Sequence, residues 1–205
     1  MAAALPIIQS EVPKQWIPIR EALRKEAERK PYITAERLAE ICEPFGVTDW
    51  RDQFQMTNYL HQLGSLLHFQ NDDKLTSTII LQPKWAVEGV YTFLKNEQLA
   101  KQNGHFSSEA FLDILCEKNY TRTGGQKILQ MMTKDNFDIC YQAKKGQYVA
   151  TQLLPDNPPN YTFHKNDCLQ FRYQYPIMPK GLLSRLIVRL SEYLERDSER
   201  DEQIV

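Results

Sequence analysis

The sequence predicts an α+β fold: two tandem winged-helix-like units followed by a strand and a C-terminal amphipathic helix. Three observations carry that expectation. The run from Tyr59 to Tyr91, YLHQLGSLLHFQNDDKLTSTIILQPKWAVEGVY, changes hydrophobic period twice and then opens a new helix on a proline. The order helix, strand, polar turn, strand returns in GGQKILQMMTKDNFDICYQAKKGQYVATQLLP from Gly124. Beyond it, residues alternate from Cys168 to Tyr175 and a leucine stripe begins at Leu182.

The first helix is expected over about Lys14 to Arg29, where Trp16, Ile19, Leu23 and Ala27 share one face and Pro31 ends the helix. In PYITAERLAEIC, Thr34 is placed as an N-cap, with Ile33 and Leu38 at the two positions of a hydrophobic staple. Met56, Tyr59, Leu60, Leu63 and Leu67 recur at helical spacing. Leu67 to Gln70 and Thr78 to Leu81 read as strands joined by the polar loop NDDKLTS. Pro83 suits a first helical position, and Trp85, Val90, Phe93 and Leu94 form the inward face of the helix it starts.

Asn96 to Gly104 is expected to link the units. HFSSEAFLDILC then aligns with the earlier staple, Ser107 in the place of Thr34 and Phe106 with Phe111 in the place of Ile33 with Leu38. Ile128, Leu129 and Met132 echo Tyr59, Leu60 and Leu63, a weak internal repeat rather than a solenoid. PDNPPN closes the second unit with a turn too rich in proline for a regular element. Leu169, Phe171, Tyr173 and Tyr175 share one face of the strand expected next, and Leu182, Leu183, Leu186, Ile187, Leu190 and Leu194 form the last helical stripe. The tail ERDSERDEQIV is expected to fray. The domain organisation that follows is 1–100 for the N-terminal helix and first unit, 101–180 for the second unit and strand, and 181–205 for the last helix and charged tail.

A chain of 205 residues, 42% hydrophobic, buries roughly 70% of the surface its unfolded form exposes, so it folds without a metal or disulfide. Its net charge of −1 gives no global field for nucleic acid or an anionic membrane. The four cysteines, Cys42, Cys116, Cys140 and Cys168, have no zinc-ligand spacing, and Cys42 and Cys116, on apolar faces of predicted helices, read as reduced and buried. With no signal peptide pattern and no apolar run of membrane-spanning length, the expectation is a cytoplasmic protein with no membrane contact.

Candidate chemistry is sparse. Gly124-Gly125-Gln126-Lys127 lacks the feeding strand and the hydroxyl that a phosphate loop needs, so it reads as the start of a helix rather than a nucleotide site. His61 and His68 flank an apolar stripe, His105 and His164 lie near loops, and none accompanies a nucleophile motif. A winged-helix plan makes nucleic-acid binding the alternative function, yet QFQMTNYLHQLGSLL contains no Lys or Arg, and the second unit offers only Lys127, Lys134, Lys144 and Lys145 beside Asp135 and Asp138. The block around Tyr173, Tyr175, Ile177 and Met178, with Arg185 and Arg189 downstream, has the tyrosine, methionine and arginine content that interfaces favour. Core packing of a strand is the competing reading of the same block.

The blocks WIPIREAL, PYITAERLAEIC, YLHQLGSLLHF, TIILQPKWAVEGVY and FRYQYPIMPKGLLSRLIVRL, in this order and over most of the chain, resemble the COR domain of Roco proteins, the segment that follows their GTPase domain. The resemblance implies a non-catalytic N-terminal COR subdomain that packs on a Ras-like GTPase domain of the same chain and couples nucleotide state to dimerisation. It implies no cofactor in this segment, with GTP or GDP and Mg on the adjacent GTPase domain. It also implies a homodimer for the full-length protein, and a monomer for this segment, whose residues 181–205 are only the start of a truncated second COR subdomain. In the family a tyrosine before the PxG turn is associated with the GTPase contact. Ile177 stands nearest that turn here, so the tyrosine is either replaced or shifted to Tyr175.

Overall fold

A computed structural model describes residues 12–155, 172–177, 179, 181–196 and 203–204. The chain divides into two compact units, Met1–Tyr91 and Thr92–Val205.

In the first unit, α1 (Trp16–Ala27) precedes β1 (Tyr32–Thr34), α2 (Ala35–Cys42), α3 (Trp50–Gln62), β2 (Leu67–His68) and β3 (Thr78–Ile80), and α4 (Pro83–Leu94) contains the division. The sheet is antiparallel in the order β1-β3-β2, with Ile33 opposite Ile79 and Leu67 opposite Ile80. Ile19, Leu23, Ile33, Leu38, Met56, Leu60 and Ile79 form its core. The cap and staple fall where the sequence places them: the Arg37 N–H donates to Thr34 Oγ1 at 3.3 Å, and Ile33 and Leu38 are both buried.

The second unit repeats the order of elements. It contains α5 (Glu97–Lys101), β4 (His105–Ser107), α6 (Ser108–Cys116), α7 (Arg122–Met132), β5 (Cys140–Lys144) and β6 (Gln147–Ala150), with sheet order β4-β6-β5. Ser107 Oγ accepts from the Ala110 N–H at 3.1 Å. The Phe106 and Phe111 staple is extended by Phe93, whose ring centroid lies 4.6 and 4.5 Å from theirs. α8 (Leu182–Arg189) and a hairpin of β7 (Glu195–Arg196) with β8 (Gln203–Ile204) follow.

Several expectations are corrected. β1 and β4 read as flanks of a staple in the sequence, because three residues are too short for a period-2 signal, yet each pairs with the central strand of a three-stranded sheet. The linker after α4 contains α5, started by Asn96, whose side chain accepts from the Gln98 N–H at 2.9 Å. α3 starts earlier than the apolar spacing suggested, because Asp49 caps it, and it stops at Gln62, so Leu67 belongs to β2. The loop between β2 and β3 is not wholly polar: Asp72 Oδ1 accepts the Lys74 and Leu75 N–H groups, and the turn so formed buries Leu75. Trp85 is half-buried, its ring tilted on Tyr32 at 5.6 Å, while Ala86, Gly89, Val90 and Phe93 are the buried positions of α4.

Of the strand expected over Cys168–Tyr175, residues 168–171 lie outside the described residues and 172–175 form no strand. The tail contains the β7–β8 pair where fraying was expected. Cys42 and Cys140 are buried free thiols, pushed up by desolvation to about 11 and about 12, while Cys168 lies outside the described residues.

Two histidines lock the first unit's hairpin. His61 Nδ1 accepts the backbone N–H of His68 at 3.0 Å. The buried His68 ring places Nε2 2.8 Å from the Thr76 carbonyl oxygen, so Nε2 carries the proton, and Nδ1 sits 2.9 Å from Thr57 Oγ1 and 3.3 Å from the Gln70 amide nitrogen. Desolvation holds both histidines below the usual imidazole pKa.

An imidazole whose folded pKa is lowered is protonated first in the unfolded chain. Stability is therefore complete above the unfolded pKa and is expected to fall as pH drops below about 6.5. Denaturant titrations across that range should show a shallower slope for His68→Gln than for the wild type; an equal slope would show that His68 does not titrate. Glycine geometry gives a second test. Gly104 has φ +78, and a Cβ there would lie 2.5 Å from the Ala150 carbonyl oxygen, whereas Gly46, at φ +77, has nothing within 4 Å. Gly104→Ala should cost about 2–4 kcal/mol in unfolding free energy, against about 1 kcal/mol for Gly46→Ala.

Candidate interaction face

The large apolar groups left uncovered in the second unit gather where chain enters and forms α8. Gly181, with φ +79, takes the N-cap position that turns the chain into the helix, and its carbonyl accepts the Arg185 N–H at 3.0 Å. Eight residues of helix then face two ways. Ile187 and Val188 are buried against Tyr141 and Val149, with Leu154 and Leu194 partly covering them. Leu182, Leu183, Leu186 and Leu190 point outward, Leu183 being 67% exposed.

Of the stripe predicted from sequence, Leu182, Leu183 and Leu186 lie on α8 and Leu190 at its C-terminal cap, all uncovered, whereas Leu194 lies beyond the helix and is partly buried. Ile187 alone of its six members is buried, and Val188, absent from the prediction, provides the second anchor. Periodicity marks a face without saying what covers it.

Tyr173, Tyr175 and Ile177 lie in the irregular segment before the turn, exposed by 76%, 45% and 85%. Tyr173, Tyr175 and Pro179 on one side and Leu182, Leu183 and Leu186 on the other line an open groove of about 690 Å³. The core-packing reading of the tyrosine block fails here, because these side chains do not enter this chain's interior. Met178 lies outside the described residues. Arg185 is exposed on α8 beside the leucines.

Arg189 behaves differently from its neighbour. Its Nε and a terminal guanidinium nitrogen each lie 2.9 Å from Oδ2 of Asp138, a carboxylate with only 4% of its side chain exposed. Arg189 is committed to an internal ion pair. Asp138, which sequence reasoning saw only as a neutraliser of nearby lysines, is the residue that places it. Its one advance signal is a lone aspartate between the apolar residues Phe137 and Ile139.

The other candidate chemistries resolve into structure. Thr121 Oγ1 caps α7 by accepting the Gly124 N–H at 3.0 Å, and both Gly124 and Gly125 are buried, a Cβ on Gly125 meeting Leu112 Cδ2 at 2.8 Å. Gly125 lets α6 and α7 approach closely. Lys127 is partly desolvated, which lowers its pKa, and Lys134 pairs with Glu192 at 2.9 Å. Arg122 at the start of α7 is held by Glu109 and Asp113. His105 lies exposed on β4, and His164 falls outside the described residues. Among the described residues, no cluster of three metal-ligating side chains occurs, and no helix is long and apolar enough to cross a membrane.

Known families match this chain along nearly all its length. The profile of the C-terminal of Roc, COR-A domain matches residues 13–154, and that of the COR-B domain matches residues 166–203. A Roc-COR-CHAT protease of Runella zeae is 25% identical over 185 residues, covering 87% of this chain and 19% of the relative. The probable serine/threonine-protein kinase pats1 of Dictyostelium discoideum is 22% identical over 201 residues, covering 89% of this chain and 6% of the relative. The chain therefore spans less than a fifth of the length of these curated relatives. Among solved structures, Methanosarcina barkeri Roco2 RocCORdC bound to GDP matches with a TM-score of 0.61 and 30% identity, over 71% of this chain and 45% of that one. Both matched profiles, the relatives and the solved neighbour agree, and the chain belongs to the COR family, the domain C-terminal of Roc.

Proposed function

We propose that this chain is a non-catalytic regulatory scaffold that packs on a Ras-like Roc GTPase domain of the same protein, in the cytoplasm, and couples its nucleotide state to dimerisation. The observation that carries the proposal is the uncovered groove of Tyr173, Tyr175, Leu182, Leu183 and Leu186, with Ile177 at its edge. A patch of this chemistry is costly to leave in water and gains most from a partner of matching shape. The relatives' Roc-COR names, and the GDP of the Methanosarcina neighbour, favour a GTPase domain as that partner. In this reading GTP or GDP with Mg sits on the Roc domain, and this chain supplies no part of the phosphate cradle.

The order helix, strand, helix, helix, strand, strand in each unit, with the last strand in the middle of its sheet, supports the winged-helix-like reading of both. A groove-reading helix would need free cations. On α3 the one arginine, Arg51, lies over the Trp50 ring between Asp49 and Asp52, and on α7 Arg122 is neutralised by two carboxylates. The scaffold reading is therefore preferred to nucleic-acid binding. Arg189 leaves the proposed contact set, because Asp138 already holds it. Tyr173, Tyr175, Ile177 and Arg185 remain in it, and Met178 is proposed from sequence alone.

Calorimetry of the 205-residue chain with GTP or GDP and magnesium should give no binding heat; saturable binding would overturn the division of labour. Tyr175→Ala and Leu183→Ala should each weaken association with the Roc domain by about 1–3 kcal/mol while leaving the melting temperature of this chain nearly unchanged. Unaltered affinity in both variants would remove the groove from the interface.

A further inference from the structure

The contact that seats α8 on the second unit joins a small apolar cluster to a set of polar contacts. Ile187 and Val188 are its buried apolar side chains, and the leucines of the helix face away. Asp138 forms the centre of the polar part. It holds φ +53 in the turn before β5, accepts the Asp135 N–H on Oδ1 at 3.0 Å, and takes the Arg189 guanidinium on Oδ2. Lys134, in the same turn, pairs with Glu192 at 2.9 Å just beyond the helix, and Thr151 Oγ1 lies 3.1 Å from the Ser184 carbonyl oxygen.

We propose that Arg189 on Asp138, with Lys134 on Glu192, is a polar latch for α8 that opens reversibly while the rest of the second unit stays folded. The physical reason is an imbalance in what opening costs. Ion pairs and hydrogen bonds are largely replaced by water when they part, so their net contribution is small compared with burial of a full apolar face. α6 and α7 bury Phe111, Leu112, Leu115, Ile128, Leu129, Met131 and Met132, far more apolar surface than α8 buries, so opening them costs correspondingly more. The outward leucines travel with α8, so the latch sets where the groove stands. This inference concerns how the helix is held, and it stands whether or not the groove receives a GTPase domain.

Native-state hydrogen exchange on the 205-residue chain tests it. The amides of Leu186 to Leu190 should exchange at least about tenfold faster than those of Ile128 to Met132, as sub-global opening requires. Asp138→Asn keeps the short side chain tolerated at positive φ but removes the charge. It should speed α8 exchange by about tenfold with α7 unchanged. Lys134→Gln, at the exposed end of the latch, leaves the turn intact and should speed α8 by about threefold; it serves alone if Asp138→Asn does not fold. Equal rates for α8 and α7 in the wild type overturn the latch, as does an α8 rate that the folded variants leave unchanged or raise only together with α7.

Discussion

Each unit depends on one short stretch of backbone performing two tasks. In the first, Tyr32 to Thr34 pairs with β3 and ends on the residue whose hydroxyl caps α2. The next amide, that of Ala35, donates to the Ser77 carbonyl oxygen at 3.0 Å, just before β3. In the second, His105 to Ser107 pairs with β6, Ser107 caps α6, and the Ser108 amide donates to the Gly146 carbonyl oxygen at 2.9 Å. The orphan N–H groups of a helix start are thus satisfied partly by a side chain and partly by the tip of a hairpin far along the chain. Helix and sheet cannot shift against each other without breaking both, and the staple residues Ile33 and Phe106 point into the core as a result.

The units differ in how they close the hairpin. In the first, a loop organised by Asp72 buries Leu75 and leads to the His68 cluster, where Thr57, Gln70 and two histidines satisfy one another's hydrogen bonds around a buried ring. In the second, a tight turn with Gly146 at φ +73 is enough, and the freed space beside β5 and β6 receives Ile187 and Val188 of α8.

The sequence made the cap and staple motifs legible because they depend on neighbours within five positions: Thr34 with Leu38 and Ser107 with Phe111 were placed correctly. It also showed the repeat, since Gly124 onward restates the pattern that precedes β2. β1 and β4 were invisible because three residues carry no period, and their identity as strands comes from partners forty or more positions away. Orientation was invisible for a different reason. Leu182, Leu183, Leu186 and Leu190 are as apolar as any core stripe, and nothing local distinguishes a face awaiting a partner from one already covered. Arg189 and Asp138 are likewise ordinary surface residues in sequence and become a pair only when α8 is laid against the turn before β5.

Membership of the COR family and the uncovered groove support the same account: a scaffold that works through what it touches rather than through chemistry of its own. Its central claim is that the face before and along α8 is covered by the Roc domain. Hydroxyl-radical footprinting of this chain alone, and of a longer chain that includes Roc, tests that claim most directly. The account predicts that Tyr173, Tyr175, Ile177 and Leu183 lose reactivity when Roc is present, while Trp50 and Ile17, exposed on the first unit, keep theirs. Undiminished reactivity at all four, with protection appearing elsewhere, would contradict it.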